Sequence, residues 1–401
     1  MSDQGPSIRG LSLGLAAGLA GLLALIWNTL HVRQMLAVHM NDFGRFYYGT
    51  RAFLDGGSLY QPTVATPVDF GNGLTTELVN LGSPAFHLLL LPLASLPPTG
   101  ALGAWTVLGV LSLAAAVRLV LVELELRPSA AQWGVVVVAF VCFAGTTAQV
   151  VTGQVAWLLA WPVTAAWVAA RRKDQVRLGI LVGLLTVVKP LFAVFGPWLL
   201  LTRQWRAAGL AAGVGLAGVG LAGFAFGPGA WLEWAGALGV VDWHWLPMNG
   251  SLTGLAGRSL SANPVYASLV DLGPASRWVG LGLGVLVLLE TWRRSVHASP
   301  DRAVALLLLG ALLASPLAWV YYHLLLVPPL LALQLRKGPP PRWAVAALSV
   351  CFAFPFAATW TVKEIGVAVV VVGAPYLWGT FGLWVAQVRA PTLRGAGDPV
   401  G

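Results

Sequence analysis

Charge is scarce in this 401-residue chain, and acidic side chains are scarcest: charged residues make up 10% of it, with 15 Asp and Glu against 24 Lys and Arg. Soluble domains usually carry about 25% charged residues, so a water-soluble globule is excluded. With 57% hydrophobic residues and a mean hydropathy of +0.77, the chain has to fold in lipid. The two cysteines, Cys142 and Cys351, both fall inside apolar runs; they exclude a disulfide framework and read as small buried hydrophobes. No Cys/His group has zinc-like spacing. There is no Walker loop and no dinucleotide fingerprint, because the glycine-rich stretch 208–223 suits close helix packing and not a phosphate cradle. Soluble nucleotide donors are therefore not expected. The net charge of +9 does not call for a nucleic-acid partner either, since the basic residues mostly lie between apolar runs, where the positive-inside bias puts them.

What the chain does have is a series of apolar runs: 11–31, 100–122, 131–149, 154–170, 178–202, 207–226, 276–292, 303–335, 342–361 and 365–388, with a short run at 84–96. Each of the longer ones approaches the roughly 20 residues that cross a hydrocarbon core as a helix. The first reads as a retained helix, because no small-x-small cleavage site precedes Trp27. The expectation is an all-α, polytopic integral membrane protein of about 11–13 transmembrane or re-entrant helices. It forms one domain over 11–389, with tails at 1–10 and 390–401 and outer loops at 32–80 and 227–275. The basic clusters Arg171-Arg172-Lys173, Arg203 and Arg206, Arg293-Arg294 and Arg302, Arg336-Lys337 and Arg342, and Arg389 and Arg394 all read as cytoplasmic, as do both termini. Basic residues flank run 178–202 on both sides, so it should leave and return to one face, broken by Lys189-Pro190 into two short helices. Parity then makes run 84–96 re-entrant.

Several polar residues stand out against this background. Asp42 heads a segment in which Phe43, Phe46, Tyr47, Thr50, Phe53 and Leu54 share one helical face, an amphipathic helix expected to lie in the membrane surface. An acid there can cap the helix or act as a base. Lys189 sits in an otherwise apolar run, where a lysine costs roughly 2.5–3.5 kcal/mol at mid-bilayer unless it faces a cavity. His323, with Tyr322 before it, closes the break Ser315-Pro316 and can donate to a phosphate or relay a proton. Asn249, Ser251 and Arg258 lie in the second outer loop, among tryptophans (Trp231, Trp234, Trp243, Trp245) that read as headgroup-level belt residues. Gly153-Gln154 forms a polar break between spans. An acid, a lysine, a histidine and arginines gathered on one face suggest a substrate with a phosphate and a lipid tail. A base would activate a hydroxyl and the cations would hold the leaving phosphate.

These residues resemble a known family. Asn41-Asp42-Phe43 with Tyr47-Tyr48 and Gly57-Ser58-Leu59-Tyr60 is similar to the first outer loop of the family 87 glycosyltransferases of the C-type superfamily. That superfamily includes polyprenyl-phosphate-mannose-dependent mannosyltransferases of cell envelopes. Ser83-Pro84-Ala85-Phe86 with Pro92, Gly153-Gln154, Lys189-Pro190, Asn249 to Ser251 with Arg258, and Ser315-Pro316 through Trp319 to His323 follow in family order. The resemblance implies inverting transfer of a hexose, mannose favoured, from a polyprenyl-phosphate sugar to a lipid or glycan acceptor, with Asp42 as general base. Lys189, Arg258 and His323 become candidates for the donor phosphate. Asn249, Ser251, Gln154, Tyr322, Tyr60 and Arg45 are the further substrate-binding candidates. Asp42 has no adjacent acid, so no metal and no other cofactor is expected. The rival reading of the same features is a non-catalytic transporter or flippase of a lipid-linked substrate.

Overall fold

The computed structural model describes residues 41–69, 75–246, 249–264, 266–337 and 374–390. The expected first span 11–31, the run 342–361, Cys351 and the tails 1–10 and 391–401 lie outside the described residues. Within them the helices are α1 (Asn41–Leu54), α2 (Pro84–Leu88), α3 (Leu91–Ala94), α4 (Pro98–Glu123), α5 (Ala130–Cys142), α6 (Ala144–Thr152), α7 (Ala156–Arg171) and α8 (Gln175–Val188). They continue with α9 (Phe195–Leu201), α10 (Trp205–Phe226), α11 (Gly229–Gly239), α12 (Leu252–Leu260), α13 (Ala275–Ser295), α14 (Pro300–Ala314), α15 (Val327–Lys337) and α16 (Pro375–Arg389). Tight 3-10 segments cover Pro190–Val194 and Val320–Leu326. The only strands among the described residues are β1 (Pro67–Asp69) and β2 (Thr75–Glu77), a small antiparallel hairpin with Val68 opposite Thr76. The architecture is the all-α, polytopic membrane fold that the hydropathy pattern implies. Of the described helices, α4 and α10 are long and apolar enough to cross a bilayer, and α5 with α6 qualifies as a pair bent by 58°.

Close glycine contacts fix the direction of the middle of the chain. A Cβ on Gly179 of α8 would lie 2.5 Å from the Ala207 carbonyl of α10, one on Gly183 would lie 2.7 Å from that of Ala211, and one on Gly218 would meet Val187 at 2.9 Å. Rising numbers therefore pair with rising numbers, so α8 and α10 run parallel. Two adjacent parallel helices need a return crossing between them, and residues 190–201 supply it. The expected hairpin with Lys189 at its tip is what the chain forms. Pro190 cannot donate to α8, and the carbonyls freed at the helix end are taken up by the Ser83 hydroxyl, 2.8 Å from Val187 O and 3.3 Å from Val188 O. Run 84–96 stays at this same end. Tyr47 donates to Leu96 O at 2.7 Å and Arg51 to Ala94 O at 3.1 Å, so α2 and α3 turn there without traversing the bundle.

Two runs depart from the simplest expectation. Run 131–149 is not one straight span: Phe143 is extended (φ −69, ψ 121) and separates an exposed α5 from a buried α6. Gly145 permits this, since a Cβ there would sit 2.9 Å from Val320 O. The helix at 41–54 has the periodicity expected, but protein and not lipid covers its apolar face. Phe46 meets Phe86 edge-on at 4.8 Å and Phe43 meets Trp105 at 5.8 Å. Arg45, on another face, is buried as well. Periodicity tells which face is apolar and not what will cover it. The lipid-facing surface is supplied elsewhere, by residues such as Val135, Leu216 and Phe224, the last 90% exposed.

The bundle thus has two chemically distinct ends. At one, Arg171 of α7 donates to Asp301 of α14 at 2.7 Å and to Glu123 of α4 at 2.8 Å, while Trp167 Nε1 donates to Asp301 at 2.9 Å. Arg302 there donates to the Gln387 and Ala390 carbonyls at the end of α16. At the other end stand Asp42, Gln154 and Lys189. Helix α7, 16 residues long, separates the two ends by about 24 Å. Asp301 is fully buried, so Asp301→Ala takes from Arg171 one of its two carboxylate partners and from Trp167 its acceptor. The variant is expected to lose about 3–5 kcal/mol, read as a lowered unfolding temperature in detergent.

Candidate active site

Asp42 lies in the first turn of α1, with its side chain 19% exposed. Each carboxylate oxygen has a partner. Gln154 Nε2 donates to Oδ2 at 2.6 Å, and Arg45, one turn along the same helix, forms an ion pair with Oδ1. Gln154 reaches α1 because of the residue before it. Gly153 ends α6 in the left-handed region (φ 63), and a Cβ there would lie 2.6 Å from that of Phe43. Only glycine fits both the turn and the close approach. Trp105 Nε1 holds the Gly153 carbonyl at 2.8 Å, and the Gln149 amide donates to the Gln154 carbonyl. The polar break seen in the sequence is therefore the bracket that orients the acid.

Cations lie next to this pair. Burial lowers the Arg45 guanidinium to about 10, with Tyr321 acting against that shift, so it stays charged at neutral pH beside the tyrosine ring. Tyr321 packs edge-on against Tyr322 at 4.8 Å, and Lys189 Nζ sits 5.3 Å from the Tyr322 ring centroid, a cation–π contact. No carboxylate is within ion-pair distance of Lys189 among the described residues. Arg45 Nη1 and both tyrosine hydroxyls are buried with no hydrogen-bond partner, and the same is true of Thr146 Oγ1 and Gln149 Oε1 on α6. Helix α6 packs against α1 and against the 3-10 segment 320–326. Buried polar groups normally find partners, so this concentration of unfilled donors and acceptors marks a place built to receive polar groups.

The remaining candidates fall into other roles. Asn249 uses its whole amide within the protein: Nδ2 donates to His244 O and Pro316 O, both at 2.9 Å, and Oδ1 accepts from Ala318 N at 2.9 Å and Ser251 N at 3.3 Å. Ser251 caps α12 by accepting from Gly254 N at 3.0 Å. Asn249 thus has no capacity left for substrate, and the fully buried Ser251 hydroxyl turns inward to Gly254 N and the Pro316 carbonyl, so these two stitch the loop to the 315–318 break. Arg258 is fully buried, with Nη1 on the Leu246 and Asn249 carbonyls at 2.9 and 3.1 Å. Its Nε and Nη2 have no partner, and burial lowers it to about 10, which leaves it cationic. His323 Nδ1 donates to Val320 O at 2.9 Å, and Nε2 lies 2.5 Å from the Thr380 hydroxyl of α16, so both ring nitrogens are engaged by protein. Tyr60 donates to Gly82 O at 2.8 Å, a strut of the outer loop.

Sequence reasoning passed over Tyr321, Thr146 and Gln149, because an uncharged polar residue in an apolar run gives no charge signal. It also passed over His87, which is fully buried between Asn80 Nδ2 at 2.9 Å and the Thr50 hydroxyl at 2.8 Å. Since the amide must donate to Nε2, the Nδ1 carries the proton and the ring is neutral. This chain of contacts locks the outer loop onto α1. No group of three or more His, Cys, Asp or Glu among the described residues could hold a metal ion.

A bundle of this kind, with an acid, a lysine and arginines gathered at one end, defines a membrane protein equipped for polar chemistry at its surface. The chain belongs to glycosyltransferase family 87, whose sequence model matches residues 80–328, more than half of the length. It is a membrane glycosyltransferase, and the transporter reading falls away. Gln154, Lys189, Asn249, Ser251, Arg258, Tyr322 and His323 lie inside the matched segment; Asp42, Arg45 and Tyr60 lie before it. No curated protein matches the chain, and no solved structure does. Replacing Asn249 by Ala removes four hydrogen bonds at once. It is expected to cost about 1–3 kcal/mol and to make the segment around 249–258 cleavable by protease under conditions where the parent resists.

Proposed function

We propose that this glycosyltransferase moves a hexose, mannose favoured, from a polyprenyl-phosphate sugar to a hydroxyl of a lipid or glycan acceptor, inverting the anomeric centre, with Asp42 as general base. The observation that carries the proposal is the placement of the Asp42 carboxylate between the Gln154 amide and the Arg45 guanidinium, at the end of the bundle where Lys189 and the unpartnered Tyr321 and Tyr322 hydroxyls also lie. The acceptor oxygen attacks the anomeric carbon as Asp42 takes its proton. The bond from that carbon to the phosphate oxygen breaks, and polyprenyl phosphate leaves with one more negative charge. Arg45 and Lys189 meet that charge, and the tyrosine hydroxyls donate to the phosphate or the sugar. Preoriented donors in a site shielded from water stabilise developing charge far better than they would in solvent. The free nitrogens of Arg258 offer a further anion contact. No metal and no other cofactor takes part in this scheme, and no nucleic acid is a partner; the partners are the lipid-linked donor, the acceptor and the surrounding lipid.

The active end is assigned to the outer face of the cytoplasmic membrane and both termini to the cytoplasm. The support is that Arg171 and Arg172 mark the opposite end of α7, where the positive-inside bias expects the cytoplasm. Purified protein in nanodiscs, given a synthetic polyprenyl-phosphate mannose, tests the chemistry. Asp42→Asn is expected to lower kcat by about 10²–10⁴ while the protein still folds and inserts into the membrane, and turnover equal to that of the parent would remove Asp42 from the reaction. Lys189→Met is expected to raise the donor KM at least several-fold while leaving the acceptor KM alone. Sidedness is read with Ala262→Cys, an exposed position in the second loop, on a background lacking the two native cysteines. An impermeant maleimide should label it on intact cells, and labelling only after lysis would place the site on the cytoplasmic face.

A further inference from the structure

We infer that the ring of Tyr322 is the positioning element of Lys189: it holds the ammonium at the active end without neutralising it, which keeps the charge for the donor phosphate. The inference rests on the reading of Lys189 as a phosphate ligand and adds what fixes that ligand in place. Lys189 Nζ lies 5.3 Å from the Tyr322 ring centroid, within the range of a cation–π contact. Among the described residues it forms no ion pair, whereas Arg45 is already paired with Asp42. Of these two cations, Lys189 is thus the one whose charge no described carboxylate offsets. It is half-buried and not sealed within the bundle.

The backbone fixes where the lysine starts, and the ring fixes where it ends. Lys189 N donates to Leu185 O at 2.8 Å and Lys189 O accepts from Phe192 N at 3.1 Å, which sets the Cα at the tip of the hairpin. Beyond it runs a flexible four-carbon stem, which by itself leaves the ammonium free to wander. The ring that meets it has no such freedom. Tyr322 is 1% exposed, its backbone N–H donates to Trp319 O at 3.1 Å, and Tyr321 packs edge-on against its ring at 4.8 Å. The 3-10 segment that carries both tyrosines packs against α6, α7 and α14. The anchor is therefore rigid where the lysine is not.

An aromatic face suits this task better than an acid. A carboxylate beside Lys189 would attract the ammonium more strongly, but an arriving phosphate would then have to displace it. The ring attracts the cation through its quadrupole and carries no net charge of its own. It covers one side of the ammonium and leaves N–H donors on the other side for an anion. A cation held in advance also binds at lower entropic cost, because its side chain is already ordered before the phosphate arrives.

The test uses full-length protein in nanodiscs with phenylalanine, 4-fluoro-, 3,5-difluoro- or 3,4,5-trifluorophenylalanine in place of Tyr322. The series keeps nearly one shape while each fluorine weakens the negative face of the ring. Phenylalanine is the reference, so loss of the hydroxyl does not enter the comparison. The probe is a short-chain polyprenyl phosphate, and its Kd is measured by equilibrium binding with no acceptor present. The Kd is expected to rise with each fluorine, by roughly three- to ten-fold across the series, and to stop varying along it in a Lys189→Met background. A Kd that stays constant along the series, or varies equally with Lys189→Met, would overturn the inference and leave Lys189 a phosphate ligand held by other means. A Lys189→Met protein that binds the probe as tightly as the parent would overturn both the inference and the phosphate reading of Lys189. Turnover is not measured, so the outcome does not depend on Asp42 being the base.

Discussion

The parallel packing of α8 on α10 is the constraint from which the active end follows. Glycines at 179 and 183 bring the two backbones so close that a single methyl group would strike the carbonyls of Ala207 and Ala211. In lipid, where apolar side chains gain little by meeting each other, such close backbone approach is a principal source of helix association. Two parallel neighbours joined by a short connection force the chain to come back between them, and the turning point is Lys189. A lysine carried on such a tip is delivered to the surface end of the bundle and not stranded at mid-depth.

Three breaks in the helical ladder serve the same end. Pro190, Gly153 and the Ser315-Pro316 break each free backbone groups that hydrocarbon could not satisfy. Each is repaired by a nearby side chain: Ser83 for the end of α8, Trp105 for Gly153, Asn249 for Pro316 and Ala318. Irregular backbone is affordable here because protein surrounds it, and what it makes possible is a polar interior with several groups left unfilled. The cost of burying Arg45 and Asp42 is offset by their mutual pairing and by Gln154, the arrangement in which buried charge is tolerated.

Much of this could be read from residue order, and what could not has identifiable causes. The spans at 100–122, 154–170 and 207–226, the helix beginning near Asp42 and the hairpin at Lys189 follow from apolar length, period and the sidedness of basic residues. The kink at Phe143 could not be foreseen, because it depends on Gly145 meeting a carbonyl from residue 320, far away in sequence. Asn249 and Ser251 carry a motif, but a motif does not say whether an amide will face substrate or stitch loops; that depends on where Pro316 and Ala318 come to rest. Tyr321, Thr146 and Gln149 are silent in a linear reading because an uncharged polar side chain in an apolar run shows its purpose only when its surroundings leave it without a partner. Arg45 was legible as a cation and not as a buried one, since its burial comes from elements on both sides of α1.

Arg302 shows how the far end of the molecule is closed. Its guanidinium, carried on the first turn of α14, grasps the carbonyls of Gln387 and Ala390, where α16 runs out of amide donors. A positive group also suits the negative pole of a helix terminus. One side chain thus acts as a clasp, terminating α16 and tying it to a helix that departs from the same end. The site-facing half of α16, which presents Thr380 to His323, is anchored through this clasp some 15 Å away along the helix axis, by about ten residues of helical rise.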